Sequence, residues 1–227
     1  MKELEYKKVV LIPSYEPNNL LIELVKKIKY DIIVVNDGSN SNYNQIFKEV
    51  EEYAKVISYD NNMGKGYALK TGLKYIKDIY KNKYIVITMD SDGQHSVSDI
   101  EKLINEVNDN TLVLGKRLRG EKTPLRSYLG NSITRFIFRT VTKKDIYDTQ
   151  TGFRAFNNSL VDYMLNVEGN RFEYEMNVLL YSNDINIKEV NIETIYIENN
   201  KNSHFNALKD SIKIYKQIFK YLKNKKN

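Results

Sequence analysis

The stretch Tyr84-Ile85-Val86-Ile87-Thr88-Met89-Asp90-Ser91-Asp92-Gly93-Gln94-His95 decides how this chain is read. Its first half is a short apolar run rich in β-branched residues, and it ends in two carboxylates one residue apart. A strand that delivers Asp-x-Asp at its C-terminal end places hard oxygen ligands where a divalent cation can also hold a diphosphate. Alone the pattern is common, and it equally fits an Asx-rich turn after a strand. Its weight comes from a second acidic turn after an earlier strand, Ile32-Ile33-Val34-Val35-Asn36-Asp37-Gly38-Ser39, and from Asn62-Met63-Gly64-Lys65-Gly66 between the two.

Outward from these turns, apolar runs alternate with segments of helical period. Strands are expected at Val9–Ile12, Ile32–Val35, Val56–Tyr59, Tyr84–Met89 and Leu112–Leu114. Helices are expected over Asn18–Ile28, Tyr43–Tyr53 and Gly66–Ile79, and from a Ser98-Asp99-Ile100-Glu101 capping box to about Val107. Strands separated by helices imply an α/β fold with a mainly parallel sheet covered on both faces. Ligands of such sheets sit beyond the carboxyl ends of the strands. Pro13-Ser14-Tyr15, Asp37-Gly38-Ser39, Asp90-Ser91-Asp92 and Gly115-Lys116-Arg117 all follow strands, so four polar strand ends share one rim.

The second half differs. Thr123–Thr142 reads as one or two amphipathic helices with Arg126, Arg135 and Arg139 among the apolar residues. Asp148–Arg154 reads as a polar turn, Phe172–Tyr181 as helix and Ile187–Ile197 as strand. From Ser203 the chain reads as a helix with a Phe205, Leu208, Ile212, Tyr215, Phe219 and Leu222 stripe and lysines elsewhere. No repeat, linker or boundary is visible, so a single domain over residues 1–227 is expected.

The 227 residues suffice for one good core, and 41% hydrophobic with 28% charged residues fits a soluble globular protein. The absence of Cys excludes disulfides, thiol chemistry and Cys-ligated metals. Met1–Lys8 lacks an apolar h-region and no apolar run approaches the ~18 residues that span a bilayer, so a cytosolic location is expected. A net charge of +6 and a pI near 9.1 fit a plain lysine-rich surface, and also suit nucleotides, acidic lipid surfaces or nucleic acid as partners. No nucleic-acid-binding pattern is present, which makes nucleic acid the least favoured of the three.

Five motifs in order carry a resemblance: Ile12-Pro13-Ser14-Tyr15, Val35-Asn36-Asp37-Gly38-Ser39, Asn62-Met63-Gly64-Lys65-Gly66, Met89–His95 and Thr151-Gly152-Phe153-Arg154. Over nearly the whole chain they resemble the family 2 glycosyltransferases, on the branch of polyprenyl-phosphate sugar synthases such as dolichyl-phosphate mannose synthase. The resemblance implies a GT-A fold, a UDP- or GDP-sugar donor, and Mg²⁺ or Mn²⁺. It divides the chain into a donor-binding half, 1–120, and an acceptor-side, membrane-proximal half, 121–227. Two departures stand out: Tyr15-Glu16-Pro17 replaces the usual Tyr-Asn-Glu, and Asn36-Asp37 replaces paired aspartates.

By the same resemblance, Asp90, Asp92 and Gln94 would hold the metal on the donor diphosphate. Asp37 would accept a hydrogen bond from the base imide, with Pro13 and Tyr15 framing base or ribose and Glu16 a lesser candidate. A helix N-cap is the plainer role for Asp37. Lys65 lies in a Gly-flanked turn suited to phosphate, or to a simple helix start. Arg117 and Arg119 are candidates for donor or acceptor phosphate, and Arg126 and Asn131 for the lipid phosphate, because the planar guanidinium matches phosphate oxygens. Any one of these arginines also fits a solvated surface charge. Lys201 and Ser203 are candidates for the diphosphate. His95 belongs to the metal-loop pattern without being an expected ligand, and His204 is either a late metal-side histidine or a helix-entry residue.

The reaction implied is transfer of a hexose to polyprenyl phosphate with inversion at C1, by an enzyme held peripherally at the inner face of the cell membrane. A sugar-hydroxyl acceptor is the main alternative. It would need a carboxylate base, for which Asp148, Glu173 and Glu175 are candidates. A nucleotidyltransferase and a non-catalytic membrane-binding module are the other readings.

Overall fold

Val9, Val10, Leu11 and Ile12 are all fully buried, and alternate residues enter different cores: Val9 and Leu11 one, Val10 and Ile12 the other. A strand buried on both faces has no polar side, so it reads as a continuous apolar run. This strand, β1 (Lys7–Ser14), lies between parallel neighbours β2 (Asp31–Asp37) and β4 (Tyr84–Thr88), with β3 (Lys55–Tyr59) beyond β2. β5 (Thr111–Arg117), β6 (Arg154–Asn157) and β7 (Asn186–Ile192) complete a seven-stranded sheet of order β3-β2-β1-β4-β6-β5-β7. β6 runs antiparallel to both neighbours, and all other pairs are parallel. The computed structural model describes residues 6–81, 83–117, 125–193, 195, 217–218 and 221–223, with side chains omitted for 125–133.

Helices α1 (Leu20–Lys27), α2 (Asn44–Val50) and α4 (Ile100–Ile104) cover one face. The other is covered by α3 (Lys65–Ile79), α5 (Leu125–Thr142), α6 (Val161–Asn166) and α7 (Glu173–Leu180). The expected mainly parallel α/β sheet with two covered faces is therefore present. Among the described residues, no helix is long and apolar enough to cross a membrane.

Three local expectations are corrected. The segment read as a polar turn runs into β6, the strand that fills the middle of the sheet. Arg154 is buried there because its guanidinium donates to the Thr151 and Glu175 carbonyls at 2.9 and 3.1 Å. The capping box does not form, and α4 stops at Ile104 rather than near Val107. Residues Val97–Asp99 make a tight 3-10 turn in which the Ser98 hydroxyl bonds that of Ser96. Asp99 instead accepts the Glu193 N–H at 2.7 Å, tying α4 to the chain beyond β7. Lastly, β7 ends at Ile192, short of the expected Ile197. The helix expected from Ser203 lies outside the described residues, apart from helical residues at 217–218 and 221–223.

Register fixes the rim. Ser14 pairs with Asn36 and Leu11 with Thr88, so Tyr15, Asp37 and Asp90 leave the sheet at neighbouring heights. Arg154 pairs with both Thr88 and Leu114, which brings Arg117, the last residue of β5, to the same end.

Candidate active site

Asp37 closes β2 and is 3% exposed. It accepts from the Tyr59 hydroxyl at 2.7 Å, the Met63 and Gly64 N–H groups at 2.8 and 2.9 Å, and Asn62 Nδ2 at 3.0 Å. Burial, then the bond to Asp37, pushes the Tyr59 phenol well above its ordinary pKa. Gly64 has φ of 103°, and a Cβ there would meet Arg171 Cγ and the Asn170 carbonyl at 2.5 Å. The Tyr67 N–H donates to that same carbonyl at 2.9 Å. The amides of Met63, Gly64 and Tyr67 at the entry to α3 thus bond within the protein.

The turns after β1 and β2 are joined. The Glu16 N–H donates to Ser39 Oγ at 2.8 Å, and its carboxylate accepts from Asn40 Nδ2 at 2.9 Å. Glu16 takes a left-handed φ of 48°, uncommon for a residue with a Cβ. Pro13 sits inside β1 opposite Val35. Burial, then the Glu16 charge, raises the Tyr15 phenol, which also feels Asp37.

Asp90 lies just past β4 in a different setting. Lys65 Nζ contacts its Oδ1 at 2.7 Å, and His95 Nε2 lies 3.3 Å from Oδ2. The His95 ring is packed on Phe153 with centroids 4.9 Å apart. Behind Asp90, a Cβ on Gly152 would fall 2.6 Å from both carboxylate oxygens, so glycine is needed for the carboxylate to keep this position. The Lys65 ammonium is shared with Glu175 of α7 at 2.8 Å. Burial alone would neutralise Lys65, but Asp90 and Glu175 outweigh it and raise its pKa. Burial would likewise raise Asp90, yet Lys65 and His95 hold its carboxyl far below the usual range.

Asp92 contrasts with its neighbour. Among the described residues its carboxylate takes one hydrogen bond, from the Gln94 N–H at 3.0 Å, and forms no ion pair. Burial, then the Asp90 charge, pushes its pKa up. Across the rim, Arg117 binds Asp148 in a fork, Nε to Oδ2 at 2.7 Å and Nη2 to Oδ1 at 3.1 Å. The Tyr147 and Asp148 N–H groups in turn bond Glu189 at 2.9 and 3.1 Å. Burial lowers the Arg117 pKa, but Asp148 and then Asp90 and Asp92 raise it overall, so all three carboxylates act on this guanidinium.

Asp90, Asp92, Lys65, His95, Arg117 and Asp148 are therefore one cluster, joined to Asp37 through the turn that begins α3. Arg119, Lys201, Ser203 and His204 lie outside the described residues, as do the side chains of Arg126 and Asn131.

Residues 9–166 match the family described as Glycosyl transferase family 2. The chain is a family 2 glycosyltransferase. It is 33% identical to a UDP-N-acetylglucosamine–dolichyl-phosphate N-acetylglucosaminyltransferase of Methanococcus voltae, over 83% of this chain and 86% of that protein. It is 28% identical to a dolichyl-phosphate beta-glucosyltransferase of Saccharomyces cerevisiae, over 92% of this chain and 72% of that protein. Its fold is similar to that of S. aureus TarS 1–349, solved in complex with UDP-GlcNAc: the TM-score is 0.52 at 18% identity, over 95% of this chain and just under two thirds, 66%, of that one.

Whether this glycosyltransferase suits a divalent cation is tested by the charges of its rim. Asp90, Glu175 and Asp148 each have a cationic partner, and Asp92 has none among the described residues. A carboxylate pushed toward protonation by burial and by a like charge is relieved by a cation. No group of three or more His, Cys, Asp and Glu side chains is set for a metal among the described residues. The oxygen donors of Asp90 and Asp92 are of the type that Mg²⁺ takes, one or two carboxylates acting with water and substrate phosphate.

Reading the sequence alone missed the supports of this glycosyltransferase. Gly152, Tyr59 and Arg171 were not singled out for the contacts they make, and Glu175 was considered only as a base. The Thr151–Arg154 motif was the available signal, since a glycine within a polar turn can mark a close approach.

Proposed function

We propose that this glycosyltransferase moves one hexose from a nucleoside diphosphate sugar to a polyprenyl phosphate, with inversion at C1. The observation that carries this reading is the state of the three carboxylates that a hydroxyl acceptor would call on as base. Asp148 is forked to Arg117 and also accepts the Gln150 N–H at 3.2 Å. Glu175 is paired to Lys65 at 2.8 Å. Glu173 accepts the Asn170 and Arg171 N–H groups, both at 3.2 Å. A phosphate monoester, with a second pKa of about 6, arrives already ionised and needs no such base. The names of the archaeal and yeast relatives, both transferases to dolichyl phosphate, support the same acceptor.

In this reading an acceptor phosphate oxygen forms the new bond to C1 as the bond from C1 to the diphosphate oxygen breaks, and the electron pair leaves with the nucleoside diphosphate. Asp92, Gln94 and the remaining lone pairs of Asp90 would hold Mg²⁺ or Mn²⁺, which when bound neutralises charge on the departing diphosphate. Arg117 spends two of its five N–H donors on Asp148, leaving others for phosphate. Arg119 and Arg126 are proposed to assist. Pro13, Tyr15 and Asp37 are proposed to frame the base, and Lys65 to set the charge of Asp90.

The acceptor also asks for a membrane surface. On α5, Phe136 is 70% exposed and the Arg139 side chain 66%, an apolar and cationic pairing that supports peripheral attachment to an anionic inner leaflet. Co-flotation with anionic vesicles at low salt is expected, and its absence counts against attachment.

The deciding assay uses undecaprenyl phosphate, Mn²⁺ or Mg²⁺ and labelled UDP- and GDP-sugars, with label counted in the organic phase. EDTA-sensitive lipid labelling from one donor is expected, and it names the sugar. Nucleoside diphosphate release without lipid labelling would instead point to a hydroxyl acceptor.

A further inference from the structure

We infer that Glu175 is a positioning residue for Asp90, acting through Lys65. The inference rests on the donor site proposed above and adds a part to it from the acceptor-side half of the chain. Glu175 sits on α7, whose residues from Tyr174 to Leu180 are all buried. A buried ion pair is poor evidence for stability, since apolar residues of similar volume often serve as well or better. Lys65 and Asp90 would already make a neutral pair. Adding Glu175 gives that group a net negative charge and leaves Glu175 Oε1 buried with no hydrogen-bond partner among the described residues.

What the third charge supplies is geometry. A lysine has a long flexible stem, and one carboxylate leaves its ammonium free to swing. Two carboxylates, at 2.7 and 2.8 Å, hold Nζ between them. Asp90 is then gripped at Oδ1 by Lys65, approached at Oδ2 by His95 and backed by Gly152. Arg154 joins the two sides of this grip, because one guanidinium donates to the Thr151 carbonyl beside Gly152 and to the carbonyl of Glu175 itself. Movement of α7 relative to the Thr151–Arg154 turn is thereby resisted at the carboxylate that the donor must meet.

The test is Glu175→Gln, which keeps size and loses charge. Calorimetry would follow UDP and GDP binding with Mn²⁺, transfer assays would give kcat and KM, and melting would report the fold. Supporting groups around such sites typically change affinity or activity by about 10–100-fold. We expect a nucleotide affinity and kcat lower by that factor, with an unchanged KM for the lipid phosphate and no loss of melting temperature. In a Lys65→Met background the same substitution should add nothing to the loss. Should Glu175→Gln fail to fold, Glu175→Asp, which keeps the charge on a shorter arm, should show the same split. Wild-type affinity and kcat in the folded variant overturn the inference while leaving the donor site intact, as does an undiminished effect without Lys65. Wild-type protein that binds neither nucleotide overturns the donor-site reading and the inference with it.

Discussion

Two aspartates leave the sheet on either side of β1, and they are held in opposite ways. Asp37 is saturated by neutral donors: a phenol, an amide side chain and two backbone N–H groups, all from the short stretch that ends β3 and leads into α3. Asp90 is held by charge and contact from three separate segments, with Lys65 of α3 and the nearby His95 in front and Gly152 behind. Neutral donors fixed by a local turn give a permanent shape. At Asp90 the position of the carboxylate depends instead on charge, since the Lys65 ammonium is itself fixed between Asp90 and Glu175. Asp92, beside it, completes the gradient with no cationic partner among the described residues.

The largest effect expected is at Asp92. Asp92→Asn should lower transfer by at least about 10²-fold, the scale of losing one electrostatic contact at a developing charge. Metal-free melting temperature should hold or rise by about 2–4 °C, since roughly 1 kcal/mol of like-charge strain is removed. A fall in melting temperature, followed by calorimetry in EDTA, would reveal a cationic partner and erase the contrast. Gly152→Ala comes next. Its Cβ would stand 2.6 Å from both Asp90 oxygens, and a displaced carboxylate should cost up to about 10²-fold in kcat/KM. Unchanged kinetics would mean that Asp90 tolerates movement.

Asp37→Asn should do the reverse of Asp92→Asn. It removes an acceptor from a buried set of donors, so urea unfolding should show a loss of about 2–3 kcal/mol. A neutral result would break the claim that Asp37 is shape rather than charge. Tyr59→Phe is smaller, about 1 kcal/mol at neutral pH. Its sign can be read with pH. The phenol is raised in the fold, so its contribution is complete below the unfolded value near 10 and is lost as pH rises toward the folded value. Melting between pH 9 and 11 should therefore fall less steeply in the variant. Tyr163 and Tyr174, raised mainly by burial, keep part of the slope.

The parallel half of the fold was legible because burial on both faces turns strands into apolar runs and the intervening helices keep their period. β6 was not, because its four residues include Arg154 and Asn157, both buried. Part of their polarity is met by groups remote in sequence, Arg154 by the Glu175 carbonyl and Asn157 by Asp109 at 2.7 Å. The same reason divides the site. Asp90 and Asp92 announce themselves because they are adjacent on one strand end. The Lys65–Glu175 pair lies across the chain, and nothing local in Glu173-Tyr174-Glu175 says which glutamate turns inward. The capping box misled because its two capping groups bond elsewhere, Ser98 to the Ser96 hydroxyl and Glu101 to the remote Tyr30 hydroxyl.

The place of β6 bears on how the protein is made. β4 and β5 never pair with each other, since the strand between them arrives only after α5. A nascent chain that has emerged through α5 carries two open edges in the centre of its future sheet, and unpaired edges are templates for association with other chains. Closing them needs antiparallel pairing between strands far apart in sequence, which is slow. The Asp-x-Asp turn can therefore settle only after synthesis of the second half of the chain is under way, and fragments cut before residue 154 are expected to aggregate rather than fold.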